Sequence, residues 1–144
     1  MPESQIELEG ALAEHLRNAE LTAAAGNRIY PILAPDHARL PYITYQRLES
    51  VHERAMGGPI GLAHARIQID CWAATYAGVK QLANGVRRTL DGLDADIGPV
   101  ASRTRVNAAF IESQSDDVEP ATGGQRRVYH VSMDFTLWHR EDAA

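Results

Sequence analysis

Residues 65–71 read Ala-Arg-Ile-Gln-Ile-Asp-Cys, and the fold is decided by that run: Ala65, Ile67, Ile69 and Cys71 alternate with Arg66, Gln68 and Asp70. Successive side chains of a strand point to opposite faces, so this is a strand with one buried and one wet face. The same alternation closes the chain, with Tyr129, Val131, Met133, Phe135 and Leu137 set against His130, Ser132, Asp134 and Thr136. Two such strands need a cover for their apolar side. Tyr76, Val79, Ala83, Val86, Leu90 and Leu93 supply one, recurring at helical spacing over residues 75–93. Lys80, Arg87, Arg88 and Asp91 fall off that stripe.

The rest of the chain is read outward from these elements. Tyr42, Ile43, Thr44 and Tyr45 centre a β-branched and aromatic stretch, a strand over about 41–51 that feeds the one over 62–73. Val106, Ala108 and Phe110 mark a further strand over 103–113, ahead of the last over 127–138. Ser4 and Glu7 have capping-box spacing, and Leu8, Leu12 and Leu16 follow at helical intervals, which predicts a first helix over 4–18. Arg28 to Tyr30 is a short extended piece. Pro31, Pro35 and Pro41 then hold an ordered loop. Strands joined by hairpins pair antiparallel. The expectation is one α+β domain over residues 1–144, with a single mainly antiparallel sheet of four to five strands and two helices packed on one face.

Two connections read as long polar hairpin loops. The first, 52–61, holds His52, Glu53, Arg54, Gly57, Gly58, Pro59 and Gly61; the second, 112–127, holds Asp116, Asp117, Glu119, Gly123, Gly124, Arg126 and Arg127. Connections of that length in a compact domain are functional or disordered. Mixed charge with glycine suits docking onto a protein partner. The candidate interface residues are therefore His52, Glu53, Arg54, Arg87, Arg88, Asp116, Asp117, Glu119, Arg126 and Arg127.

Composition narrows the function. The chain has 144 residues, a length that supports a core without metals or disulfides. A net charge of −5 argues against dedicated nucleic-acid binding, which draws its affinity from a basic surplus. Lys80 is the only lysine and Cys71 the only cysteine, so no internal disulfide forms. No apolar run approaches the roughly 18 residues of a membrane helix, and Met1 to Glu9 lacks a signal-peptide core, so a soluble, cytoplasmically made protein is expected.

Catalytic patterns are missing. There is no phosphate-binding glycine loop, no H-E-x-x-H and no G-x-S-x-G. Gly57-Gly58-Pro59 puts a proline where a phosphate cradle needs an amide donor. His15, His37, His52, His64, His130 and His139 show no ligand spacing. Cys71 lies on the apolar side of its strand, a setting for a buried thiol and not for a nucleophile. No catalytic, cofactor-binding or metal-binding residue is assigned. The competing enzyme reading is a small metal-dependent hydrolase using the acidic loop with a histidine; a monomeric ligand-binding domain is another.

A set of short motifs then recurs in order. Arg28-Ile29-Tyr30-Pro31 is followed by Pro35 and by Leu40-Pro41-Tyr42. Gly58-Pro59 with Gly61-Leu62 leads into Ala65 to Asp70 and Trp72-Ala73, and Tyr76 opens the Val79–Leu93 helix. Asp117-Val118-Glu119-Pro120 with Thr122-Gly123 precedes Met133-Asp134-Phe135 and Leu137-Trp138. This ordered set resembles the tail completion, or tail terminator, proteins of long-tailed bacteriophages, prophages and gene transfer agents. Val118 departs from the pattern, which has an aromatic residue there. The resemblance implies a structural protein without catalytic activity, in a ring commonly of six subunits that caps the tail tube, ends its polymerisation and offers a surface to the head connector. Its implied partners are itself, the major tail tube protein and a head–tail connector protein, with DNA only passing through the lumen and no membrane. The implied location is the host cytoplasm during assembly and then the tail–neck junction of a virion or phage-like particle. A head–tail connector or stopper of the same neck is the neighbouring alternative.

Overall fold

The computed structural model describes residues 4–99, 103–119 and 127–140. The elements run α1 (Ser4–Asn18), a short 3-10 turn (Glu20–Thr22), β1 (Ile29–Pro31), β2 (Tyr42–Ala55), β3 (Gly58–Ala73), α2 (Tyr76–Leu90), β4 (Ala95–Ile97), β5 (Thr104–Glu119) and β6 (Val128–Arg140). The strands form one six-stranded sheet in the order β1-β2-β3-β6-β5-β4.

The sheet follows from the alternation. Ala65, Ile67, Ile69 and Cys71 of β3 and Val131, Met133, Phe135 and Leu137 of β6 are fully buried. They pair two by two, Cys71 with Val131, Ile69 with Met133, Ile67 with Phe135 and Ala65 with Leu137. Leu8, Leu12 and Leu16 of α1 and Val79, Leu82, Ala83, Val86 and Leu90 of α2 join the same core cluster. Thr75 caps α2, its hydroxyl accepting from the Gly78 amide at 3.0 Å. At the other end Gly92 adopts φ +83°, a left-handed conformation that glycine reaches without a Cβ clash. Its amide donates to the Ala109 carbonyl at 2.7 Å and ties the helix end to β5.

Three expectations are corrected. The architecture is α+β, but the sheet is mixed and curled, not a layer of four to five antiparallel strands backed by helices on one face. β1 pairs parallel with β2 and β4 adds a second short edge; each spans three residues, too few to show a period in the sequence. Residues 52–61 are not a loop: β2 and β3 pair down to Ala55 opposite Gly58, leaving a turn of Met56 and Gly57. The positive φ of Gly58 (+125°) lets the chain reverse in so short a space. Residues 112–119 are likewise strand, since β5 stays paired with β6 to Glu119 opposite Val128.

Candidate functional site

The geometry offers surfaces for assembly. The sheet has two ends: an upper one where Tyr42, Ala73 and Tyr129 meet, and a lower one where Leu62 pairs with Arg140. Among the described residues β6 is last paired at Arg140, opposite Leu62, while β2 and β3 run on below it to their turn. That extension is a two-stranded arm. A lone hairpin is marginal in water without a further partner. The arm and its base nonetheless expose Leu48, Val51, Met56 and Ile60, with Met56 wholly in solvent. At the opposite, upper end β5 and β6 stay paired to Glu119 opposite Val128.

The sequence-chosen residues fall at these two ends. His52, Glu53 and Arg54 lie on the arm, where a bulge between His52 and Arg54 leaves Glu53 out of register. Glu53 Oε2 reaches His64 Nδ1 at 3.5 Å, and the His64 ring packs on Trp138 with centroids 4.2 Å apart. Arg87 and Arg88 occupy the last turn of α2, where a cation meets the negative end of the helix dipole. Because α2 runs down from Ala73, both face the lower end. Asp116, Asp117 and Glu119 sit on upper β5, opposite Val131, His130 and Val128. Asp116 is taken up within the chain: Lys80 Nζ lies 3.1 Å from its Oδ2, and the Tyr76 hydroxyl donates to it at 3.3 Å. Asp117 Oδ1 accepts from the Val118 amide at 2.8 Å. Asp117 and Glu119 form no ion pair among the described residues. Arg127 is exposed just before β6. Arg126 lies outside the described residues.

Sequence reasoning missed the sheet's outer face. Tyr30, Tyr42, Trp72 and His130 form a row across β1, β2, β3 and β6, Tyr30 edge-on to Tyr42, and Tyr42 and His130 each stacked on Trp72, with centroid separations of 6.0, 5.9 and 4.0 Å. Asp70 stands beside the row, 3.3 Å from His130 Nε2 and accepting two contacts from Gln68 Nε2 at 3.2 and 3.0 Å. Burial raises its carboxyl pKa, but hydrogen bonds from His130, Ser132 and Gln68 outweigh that and hold it below the ordinary 3.8. Trp72 Nε1 donates to Thr44 Oγ1 at 3.2 Å. The signal was present as Trp72 and His130 on the polar phase of two strands whose registers match. The register itself is not readable from sequence.

Among the described residues no catalytic constellation is brought together. Cys71 is fully buried, and desolvation pushes its thiol far above the usual range. Among the described residues no three His, Cys, Asp or Glu side chains are grouped to hold a metal ion. A cleft of about 350 Å³ between the α2 start and Leu40-Pro41 is lined mainly by alanines, leucines and Pro41. No helix among the described residues is long and apolar enough to cross a membrane.

No curated protein matches the chain. In fold it is similar to a chain from the virion of a native gene transfer agent particle, at 17% identity and a TM-score of 0.71 over 97% of this chain and 99% of that one. Residues 10–140 match the tail completion protein gp17 family, a structural family of phage tails and not of enzymes. The chain belongs to that tail completion family.

Proposed function

We propose that copies of this chain close into a ring, commonly of six, that caps the tail tube, ends its polymerisation and offers its outer end to a head–tail connector. One observation carries the reading: the chain projects an arm with exposed apolar side chains from one end of its sheet, while its acidic cluster stands at the other. A closed ring is built from heterologous contacts, one patch of each subunit meeting a different patch of the next. Arg54, Arg87 and Arg88 at the lower end, beside Glu53, and Asp117 and Glu119 at the upper end, beside Arg127, give the two ends opposite excesses of charge, which favours head-to-tail register. The gene transfer agent likeness supports a place in a virion or phage-like particle. In this reading that place is reached after assembly in the host cytoplasm, with the tail tube protein as immediate partner. DNA meets the protein only while passing through the lumen.

Tail-tube subunits polymerised with and without the chain test this. The expected result in electron micrographs is tubes of limited length with a ring at one end. Tubes of unchanged length with the chain left in solution contradict it. A chain that binds head connectors but no tubes speaks for the connector or stopper role instead.

A further inference from the structure

We infer that neighbouring copies join edge to edge, the lower part of one copy's β2 pairing antiparallel with the upper part of the next copy's β5, a pairing that presupposes the assembly reading above. β1 covers β2 only from Ile43 to Tyr45, and β4 covers β5 only from Thr104 to Val106. Gly92 then donates to the Ala109 carbonyl, and Asp91 Oδ1 accepts from the Ile111 amide at 3.1 Å. Past Ile111 no described strand lies along the outer side of β5, and past Tyr45 none lies along β2. Among the described residues the sheet thus ends in two half-covered edges, the open part low on one side and high on the other.

Backbone direction shows which groups these edges present. Ile43 N donates to Arg28 O, and Tyr45 O accepts from Ile32 N, so these residues aim their backbone away from β3. Their partners Cys71 and Ile69 aim toward β6, and β3 and β6 pair without a shift. Alternation carries this to Ala65, so Ser50 opposite it aims its N–H and C=O outward, despite the bulge between Arg47 and Glu49. The same alternation on β6 aims Gln114, Asp116 and Val118 outward, opposite Met133, Val131 and Tyr129. Asp117 accepts from the Val118 amide, a cap on the last of these donors. Open donors and acceptors on a strand edge are a template for another strand.

Two further features select a second copy as the occupant. β2, β3, β6 and β5 alternate in direction, so a copy set alongside with the same face inward brings its β2 antiparallel to its neighbour's β5, the better-bonded pairing. The two edges also differ in charge. Lower β2 mixes Arg47 and Arg54 with Glu49 and Glu53, whereas upper β5 is acidic throughout, with Asp116 held by Lys80 and Asp117 and Glu119 left without an ion pair among the described residues, so Arg54 is the basic group on the β2 edge that can meet them. Leu48 and Val51 on one edge and Val118 on the other are exposed apolar side chains for such a seam to cover.

Proline removes an edge donor without touching the ladder inside, which makes Ser50→Pro and Gln114→Pro the test. Native mass spectrometry and electron microscopy, with and without tail tubes, read the outcome. Each variant alone is expected to lose the ring and remain monomeric, and a one-to-one mixture to stop at a dimer, since it holds one intact edge pair. Rings of wild-type size from either variant overturn the edge pairing and leave the capping role standing. So do rings that survive both prolines yet vanish with Met56→Ser, which points to the arm tip docking elsewhere. A wild-type chain that never assembles, free or on tubes, overturns both readings. Where a proline variant loses its cooperative melt, amide hydrogen exchange on the native chain decides: Ser50, Gln114 and Asp116 are expected to slow at least tenfold in the assembled form, and unchanged rates overturn the pairing.

Discussion

Gly85 marks the tightest approach between α2 and the turn before β1. A Cβ built there collides with the Leu21 carbonyl, a backbone group that cannot swing aside. Gly85→Ala is therefore expected to destabilise the fold by about 1–3 kcal/mol, the ordinary range for overpacking, measured by denaturant unfolding. Asp70 carries a pH signature of its own. Its carboxyl pKa is lower in the folded than in the unfolded chain, so the unfolded state binds more protons as acid is added. Its contribution is complete only well above the ordinary 3.8 and disappears as pH falls through that value toward the lower folded one. Asp70→Asn is expected to flatten the acid limb of the stability curve, and an unchanged limb removes this role. At this scale the sequence is only partly informative. The burial of Cys71 is legible from its phase in the strand, whereas the union of Asp70, Trp72 and His130 depends on strand register that no local pattern encodes.

Among the elements, the arm formed by lower β2 and β3 is the part whose fold and purpose diverge most. Its far end is held by the β2–β3 pairing among the described residues, and Met56 and Ile60 there stand exposed. Met56→Ser and Ile60→Ser are expected to move unfolding free energy by less than about 0.5 kcal/mol while weakening assembly, a split that calorimetry and analytical ultracentrifugation read separately. Loss of stability in proportion to loss of assembly contradicts the assignment. Alternation at residues 65–71 and 129–137 and helical spacing at 76–90 were strong enough to read. Gly57, Gly58, Pro59 and Gly61 read as a loop because glycine and proline weaken a strand, yet here they make a tight reversal and a tip. The short extended piece at Arg28 to Tyr30 overlaps β1, but its parallel pairing is not legible, and β4 is not legible at all, because three residues show no periodicity. Their places come from tertiary pairing with β2 and β5.

For the molecule as a whole, what matters is that the candidate residues do not converge. His52 to Arg54, with Arg87 and Arg88, belong to the lower end, and Asp116 to Glu119 belong to the upper end. A catalytic site brings its groups together; a subunit meant to meet two neighbours keeps its complementary surfaces apart. Charge reversal is expected to expose this polarity. Asp117→Lys with Glu119→Lys should abolish assembly alone and recover part of it when mixed with a chain carrying Arg54→Glu, by sedimentation at low salt. Asp116 is the wrong position for that experiment, because Lys80 already holds it. The most direct test of the central claim is native mass spectrometry of the wild-type chain at rising concentration and from purified tails. The account predicts one closed species at a fixed whole-number multiple of the 15.8 kDa subunit, replacing the monomer without a ladder of intermediates. A lone 15.8 kDa species under every condition, including release from tails, contradicts it.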